Sequence, residues 1–392
     1  MSIFLENSTD SQYEENLLTE NTPNLNDIIE ETDNDGFLKI TSYKNCTNDS
    51  SDFLKKNRGV VSNYKGPIFR SLEYTQEYTE LNIPNDFTQE IKKLRLFVSQ
   101  EGTLIRVFYY EGFPLKNDHD LIKSNWYVST HRKLNAFKSR WGGGLESFGD
   151  IFKRYLIESG VNYDTLFERL NKTCVYYFFI RNTESNRVVC KIREKPFVFL
   201  IGMLSSDDKY HHGPDIDSLT EIPRAKELNF NTKEEIQTWV QYIDPFLYQG
   251  IIGFYENGTQ VKIVNSKYNL YSQIRGNESS IKFRYLNVRT NTVSVRLLRE
   301  LYPEHNDNFI LYESLIYNIA KNIHNTYMTR FIKKEHIVTD NNSYRIMKEA
   351  HGKHILNRNV KVTFDVIFNI LSEQKFVSTL NSLLKQEMQK QK

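Results

Sequence analysis

The alternation of apolar and polar residues divides the chain into a strand-rich part and a helix-rich part. Short apolar runs separated by Gly, Asn and Asp turns extend from residue 58 to about residue 289, and they predict β-strands. The predicted strands are 94–99, 103–110, 126–130, 174–181, 188–192, 197–203, 250–255 and 260–264. Two helices are predicted in the same part, at 147–158 and at 232–242, the second with Asn231 or Thr232 at its cap. This mixture predicts an antiparallel α+β core without the strand and helix alternation of a dinucleotide-binding fold.

The last hundred residues follow a different pattern. Apolar residues recur at three- and four-residue spacing from Phe309 to Tyr327, which is typical of an amphipathic helix, and the pattern returns between Val362 and Leu384. We therefore expect a C-terminal helical domain over residues 293–392. Mean hydropathy is -0.56, and no apolar run approaches the roughly 18 residues of a membrane span. A membrane partner is not expected.

The first 57 residues are acidic and polar, and they contain few aromatic side chains. Such a segment cannot bury enough apolar surface to offset the entropy of ordering, so residues 1–57 are predicted to be a disordered acidic tail. Residues 1–36 contain ten acidic residues and no Lys or Arg, which leaves +12 on the remainder of a chain of net charge +2. The tail either folds back over a basic groove and competes with nucleic acid, or only solubilises the protein.

Charge and cysteine content narrow the function classes. A body of charge +12 favours a polyanionic partner, although a generic basic surface explains it as well. Cys46, Cys174 and Cys190 fit neither a disulfide framework nor a zinc spacing, and the N-terminus lacks the basic and apolar regions of a signal peptide. A reducing, cytoplasmic location is therefore expected. No metal site is predicted, because the adjacent His211 and His212 on a polar loop point in different directions.

Several short motifs follow one another in a definite order. An Arg-Gly pair at residues 58–59 precedes SQEG at residues 99–102, which is predicted to form the turn of a hairpin. The strings WYVSTHRK, YFFIRNTESNRVV, YQGIIGFY and VKIVNSKY come next. In this order and at these separations the chain resembles the phage-type RNA ligases, a family of covalent nucleotidyltransferases. The resemblance implies a nucleotidyltransferase domain over residues 58–292.

The same resemblance identifies where the chain departs from the family. Ser99 stands where the family has the lysine that attacks the α-phosphorus of ATP, and a serine cannot form that phosphoramide. Two expected glutamates are replaced by Ile180 and Gln249. Of the expected Lys-x-Lys, Lys262 remains and Val264 takes the second position. Losing the nucleophile removes the covalent route itself, so the chain is predicted to be a pseudoenzyme.

A surface for phosphates and nucleic acid is expected to remain. The expected nucleotide-binding residues are Arg58, Glu101, Gly102 and Lys262. The expected RNA-binding residues combine cations for phosphates with an aromatic face for a base: His131, Arg132, Lys133, Lys138, Arg140 and Trp141. The opposing interpretation is that the aromatic side chains belong to the core and the cations are only solvated.

Three hypotheses follow. The first is a degenerate RNA-ligase-like protein of a large DNA virus that binds RNA ends, a cap or a nucleotide non-covalently. It needs no cofactor, unless ATP or GTP with Mg is still held. The second is an active ATP-dependent RNA ligase in which Lys262 replaces the missing nucleophile, and the third is a scaffold whose helical domain recruits a protein partner. If the motif assignments are right, Ser99, Gln249 and Lys262 must face one cavity.

Overall fold

A computed structural model of the chain describes residues 28–111, 125–141, 146–182, 187–191, 197–278, 280–359 and 361–390. The strands are β1 (Ile29–Asn34), β2 (Lys39–Tyr43), β3 (Val60–Asn63), β4 (Gly66–Phe69), β5 (Gln76–Thr79), β6 (Arg95–Ser99), β7 (Gly102–Tyr109), β8 (Trp126–Ser129), β9 (Val175–Arg181), β10 (Val198–Leu204), β11 (Tyr210–His212), β12 (Glu227–Leu228), β13 (Gly250–Phe254) and β14 (Gln260–Val264). The helices are α1 (Asp52–Lys56), α2 (Phe87–Ile91), α3 (Phe148–Glu158), α4 (Tyr163–Leu166), α5 (Lys233–Tyr242), α6 (Ser266–Arg275), α7 (Ile281–Val288), α8 (Thr292–Leu301), α9 (Asn306–Tyr327), α10 (Asn341–Leu356), α11 (Phe364–Leu371) and α12 (Val377–Lys390).

Two five-stranded sheets form the centre of the molecule. The first sheet has the order β12-β6-β13-β14-β5 and is antiparallel except for the pair β14 and β5, and the second has the order β11-β10-β9-β7-β8 and is antiparallel. Phe97 and Phe254 of the first sheet share one apolar cluster with Phe108 and Tyr177 of the second. The predicted α+β class with antiparallel sheets is confirmed.

Helices cover the opposite faces of both sheets. Ile251 of the first sheet packs with Ile236 of α5, and Phe178 of the second packs with Phe152 of α3. The predicted starts of α3 and α5 are correct, because the hydroxyls of Ser147 and Thr232 accept hydrogen bonds from backbone N–H groups in the first turns. Burial on both faces explains the nearly continuous apolar runs of the central strands.

The predicted hairpin at residues 99–102 is wrong. β6 pairs with β12 and β13, whereas β7 pairs with β8 and β9, so the two consecutive strands belong to different sheets. The chain changes sheets at Gln100 and Glu101. The predicted strand at 188–192 is also wrong for the residues described there. Residues 188–190 form an irregular segment whose N–H groups bond to the carboxylate of Glu101 instead of to a neighbouring strand.

The structure corrects the prediction of disorder through residue 57. Residues 28–57 contain β1, β2 and α1, and β1 to β4 form a four-stranded sheet. Leu38 and Ile40 are buried in the cluster between the large sheets. The acidic residues also find partners, since Asp33 accepts hydrogen bonds from the side chain of Lys133 and the backbone of Leu134. Residues 1–27 of the predicted tail lie outside the described residues.

The C-terminal helical region is confirmed, but helices begin before residue 293. α6 and α7 already pack into the cluster of the later helices, through Tyr268 and Tyr285 among others. Tyrosines form much of the buried face of α6. The sequence of α6 therefore lacks the regular spacing of aliphatic residues that predicts an amphipathic helix. Within the residues that the structure describes, no helix is both long and apolar enough to cross a membrane.

Gly59 joins the N-terminal sheet to the second large sheet. Its N–H donates to Ser42 Oγ (2.9 Å), and its carbonyl oxygen accepts from the fully buried guanidinium of Arg106. Its φ is +64°, and a Cβ built there would lie 2.6 Å from the carbonyl oxygen of His131. The position therefore combines a left-handed backbone with a close backbone approach, and glycine alone satisfies both.

Gly59→Ala is expected to lower the free energy of unfolding by about 3 kcal/mol, because a left-handed φ costs roughly 1–2 kcal/mol and overpacking roughly 1–3 kcal/mol. Gly36→Ala is the matched control, since Gly36 has φ +91° but nothing within 4 Å of its Cβ position. Urea unfolding of both variants measures the difference. Equal losses would show that the approach to His131 is irrelevant.

Candidate functional site

One cavity of about 230 Å³ is lined by both large sheets. Ser99, Gln249 and Lys262 all line it, so the geometric requirement drawn from the sequence is met. With Lys262, Arg58 and Gly102 bring to three the expected nucleotide-binding residues that line it, and Glu101 does not. The motifs that are far apart in the sequence therefore converge on one space.

The pairing of the first sheet explains this convergence. Ser99 lies opposite Gly250, and Ile252 lies between Phe97 and Lys262 on its two neighbouring strands. Residues two apart on a strand point to the same face. Phe97, Ser99 and Lys262 consequently share the face that looks into the cavity. Residues of the other face, such as Leu96, Ile251 and Ile263, pack against α2 and α5.

Ser99 belongs to a chain of hydrogen bonds that leads into the helical region. Its hydroxyl donates to Oε1 of Gln249 (3.0 Å), and Nε2 of Gln249 donates to the hydroxyl of Tyr268 on α6 (2.8 Å). Burial raises the pKa of the Tyr268 phenol well above its usual value, and the nearby Glu101 raises it further. Among the described residues, the hydrogen-bond partner of the Ser99 hydroxyl is thus an amide, which cannot serve as the general base that would activate it.

Three side chains with nitrogen donors, those of Lys262, Arg58 and Gln260, also line the cavity. Lys262 Nζ lies 3.7 Å from Oε1 of Glu77, and Arg58 donates to Oγ1 of Thr75 (3.4 Å). Gln260 is 5% exposed, and its Oε1 accepts from Thr75 (3.0 Å). Its Nε2 is buried without a hydrogen-bond partner among the described residues. An unmatched buried donor costs about 1–3 kcal/mol, so an acceptor from a ligand would be favourable here.

The sequence did not single out Gln260, although it precedes Lys262 by two residues and therefore shares its face of β14. The remaining wall is largely apolar and aromatic. Phe179 and Phe199 line the cavity from the second sheet, with ring centroids 6.5 Å apart.

Two of the four degenerate positions lie outside the cavity lining. Ile180 is buried in the cluster between the second sheet and α3, whereas its neighbour Phe179 lines the cavity. Val264 packs into the cluster of the C-terminal helices. Adjacent residues of a strand point to opposite faces, so Ile180 faces α3 and not the cavity. Phe179 is the residue that faces the cavity at this point.

Glu101, expected to bind a nucleotide, is bonded to the protein backbone and does not line the cavity. It is 3% exposed, and its carboxylate accepts from the backbone N–H groups of Val188 (3.1 Å), Val189 (2.6 Å) and Cys190 (2.8 Å). These three bonds occupy most of the accepting capacity of a carboxylate. Glu101 therefore anchors residues 187–191 to the point where the chain changes sheets.

Some of the residues predicted to bind RNA already have partners within the protein. Arg132 pairs with Glu30 of β1, and Lys133 pairs with Asp33 of the same strand (3.2 Å). Trp141 packs against the cluster beneath the second sheet, which supports the opposing interpretation for this side chain. Lys138 and Arg140 are exposed.

His131 is a neutral residue in this environment. Burial lowers its pKa to about 3, and the positive charges of Arg58, Arg132 and Arg106 add to the effect. The imidazole therefore carries no charge at neutral pH and cannot act as the expected cation for a phosphate.

No family model matches the chain. The chain is 29% identical over 305 residues to the immediate-early protein ICP-46 homolog of Invertebrate iridescent virus 3. This alignment covers 74% of this chain and 64% of that protein. It is 30% identical over 366 residues to the immediate-early protein ICP-46 homolog of Invertebrate iridescent virus 6, with 84% of this chain and 77% of that protein covered. The chain thus spans less than two thirds of the length of the first of these relatives.

Among solved structures, the chain is similar to an archaeal ATP-dependent RNA ligase. The identity is 11%, the alignment covers 85% of this chain and 88% of that chain, and the TM-score is 0.40.

Glu101→Gln is expected to lower the free energy of unfolding by about 2 kcal/mol, since hydrogen bonds to a charged group are worth roughly 1.5–3 kcal/mol each and an amide keeps only one accepting oxygen. The control is Glu256→Gln at an exposed turn, where a change within about 0.5 kcal/mol is expected. Urea unfolding of both variants is the measurement. A loss no larger than that of the control would refute the anchoring role.

His131 is expected to make the protein acid-sensitive. Its folded-state pKa of about 3 lies below the unfolded value of 6.5, so the unfolded chain binds a proton that the folded chain excludes as pH falls below about 6.5. Stability contributed by the neutral form is present above that pH and is lost on acidification. Unfolding at pH 7 and pH 5 should show a smaller acid loss for His131→Gln, while the exposed His336→Gln should behave as the parent chain. An unchanged loss in His131→Gln would contradict this assignment.

Proposed function

This chain belongs to the family of the iridescent virus immediate-early protein ICP-46 homologs, and from its cavity we propose that it binds a nucleotide, free or at an RNA end or cap, without bonding to it covalently. One observation carries the proposal. Ser99, Gln249 and Lys262 line a single cavity, and the residue at the end of β6 in that cavity is a serine.

The composition of the wall supports a nucleotide as the ligand. Lys262 and Arg58 supply positive charge for phosphates, and Gln260 supplies an unmatched amide donor. Phe179 and Phe199 supply aromatic faces for a base. Small-molecule sites typically combine such apolar walls with a few converging polar groups.

The same cavity argues against covalent chemistry. A covalent route needs a deprotonated amine beside the phosphate, and Lys262 is the amine that the motifs offer. Lys262 lies on β14 and not at the end of β6, where the resemblance places the nucleophile, and its Nζ is paired with the carboxylate of Glu77 (3.7 Å). We therefore infer a pseudoenzyme. An ATP-dependent RNA ligase that uses Lys262 is the second candidate, because Lys262 does line the cavity with Ser99.

A resident metal fits this donor set poorly. Among the described residues that line the cavity, Glu77 supplies the carboxylate and the remaining polar side chains are donors, amides or hydroxyls. Mg²⁺ prefers octahedral oxygen ligands, commonly one or two carboxylates together with substrate phosphates. A magnesium ion would therefore enter with a nucleotide and be held chiefly by its phosphates.

Lys262→Ala and Gln260→Ala are each expected to weaken the binding of ATP or GTP roughly tenfold, which corresponds to about 1.4 kcal/mol for one lost hydrogen bond to a charged ligand. Titration with a fluorescent ATP or GTP analogue measures the affinity. Lys209→Ala removes an exposed lysine that does not line the cavity, and its affinity should equal that of the parent chain.

Incubation with radiolabelled ATP or GTP and Mg²⁺, followed by denaturing electrophoresis, should leave the polypeptide unlabelled. A labelled band that disappears in Lys262→Ala would establish the second candidate in place of the first. If neither nucleotide nor RNA binds at low salt, the scaffold hypothesis replaces both.

A further inference from the structure

A second concave surface lies on the helical region. A groove of about 520 Å³, open to solvent, occupies the junction of α8 with the end of α7 and the start of α9. We call it the arginine groove; its lining residues are Arg289, Thr292, Val295, Arg296, Arg299, Glu300 and Asn306. It shares no lining residue with the cavity between the sheets.

The arginines of this groove differ in their partners. Arg289 makes two hydrogen bonds to the carboxylate of Glu313 (2.8 and 2.6 Å), so its charge is balanced. Arg296 and Arg299 have no ion pair within the part of the chain that the structure describes. They are three residues apart on α8 and therefore lie on one side of the helix. Two guanidinium groups thus remain to receive an anion.

Two buried polar atoms of the groove also lack partners. Nε of Arg299 is an unmatched donor, and Oδ1 of Asn306 is an unmatched acceptor, among the described residues. Asn306 is the first residue of α9, a helix of 22 residues whose preceding residue makes no side-chain cap. The positive end of the helix dipole adds to the attraction for an anion. A ligand that accepts at one point and donates at the next would satisfy both atoms.

We propose that the arginine groove binds the sugar-phosphate backbone of single-stranded RNA. Guanidinium groups match the oxygens of a phosphate in a planar fork, and a ribose 2′-hydroxyl is the donor that Asn306 lacks. A site open to solvent accommodates a polymer, where a closed pocket would select a small molecule. The choice of RNA as the ligand rests on the proposed function, whereas the anion site rests on the groove alone.

One helix connects the arginine groove to the cavity. Tyr268 of α6 accepts the hydrogen bond from Gln249 at the cavity wall, and Tyr271 of the same helix donates to Glu300 in the groove (2.8 Å). Residues three apart on a helix are separated by about 5–6 Å. Both sites are therefore hydrogen-bonded to the same helix, α6.

The test uses a fluorescein-labelled, mixed-sequence single-stranded RNA of about 16 nucleotides, the upper size of common single-strand sites. Fluorescence anisotropy gives its affinity for the full chain over a series of salt concentrations. The double variant Arg296→Ala/Arg299→Ala is expected to bind at least tenfold more weakly. The slope of log affinity against log salt should fall by about 1.4, since each lost phosphate contact to a single strand removes about 0.7.

The matched control is Lys321→Ala/Lys348→Ala, which removes two exposed charges of the helical region outside the groove. Its affinity and slope should stay close to those of the parent chain. Asn306→Ala should reduce the preference for RNA over DNA of the same sequence. The unfolding midpoint of each variant is measured alongside, and Arg296→Ala alone, at an exposed residue, serves if the double variant is unfolded.

Three outcomes would overturn the proposal: RNA binding by the double variant equal to that of the parent chain, equal losses in both double variants, or an arginine-dependent affinity for a polyglutamate peptide with RNA binding unchanged. Binding of the fluorescent nucleotide is measured in the same variants. Arginine-dependent RNA binding without nucleotide binding would refute the cavity proposal and leave the groove, and the reverse result would refute the groove alone.

Discussion

The carboxylate of Glu101 lies where the chain leaves one large sheet for the other, and its three bonds to backbone N–H groups determine the course of residues 187–191. The same segment is held from the other side. The hydroxyl of Tyr302 donates to the carbonyl oxygens of Arg187 (2.9 Å) and Val188 (2.8 Å). One short segment thus receives bonds from the sheet junction and from the helical region. Removing a charged acceptor from a buried set of donors leaves all of them unmatched, which is why such a group is costly to lose.

The positions of most strands in the two large sheets followed from local patterns, and the pairing of the strands did not. Alternation identifies a strand, but it does not say which neighbour the strand will bond to, so β6 and β7 were joined into a hairpin that the sheets do not contain. β1 and β2 were missed for another reason. The acidic and polar composition of residues 1–57 looked incompatible with a fold, yet Leu38 and Ile40 are buried and Asp33 is bonded to residues about 100 positions away.

The candidate site, like the fold, was predicted from the sequence only in part. The order of the motifs brought Ser99, Gln249 and Lys262 to one cavity. Gln260 was overlooked because an amide carries no motif, and Ile180 was assigned where Phe179 faces the cavity. Charge patterns along the chain also could not reveal that Arg132 already has Glu30 as a partner. Each of these features depends on which distant segments of the chain lie close together in space, and local sequence patterns do not contain that information.

The contact of Arg106 with Gly59 has a consequence for truncated forms of this protein. The guanidinium of Arg106, with a pKa lowered by burial to about 10, remains a cation at neutral pH and is solvated by oxygens of Gly59, Ser129 and Thr130 in place of a counter-ion. A truncation that starts after residue 59 would delete one of these oxygens and the strands that shield the group from water. The guanidinium of Arg106 would then be a buried charge with fewer hydrogen-bond acceptors. Recombinant fragments of this family should therefore keep residues 28–57, which look dispensable on composition alone.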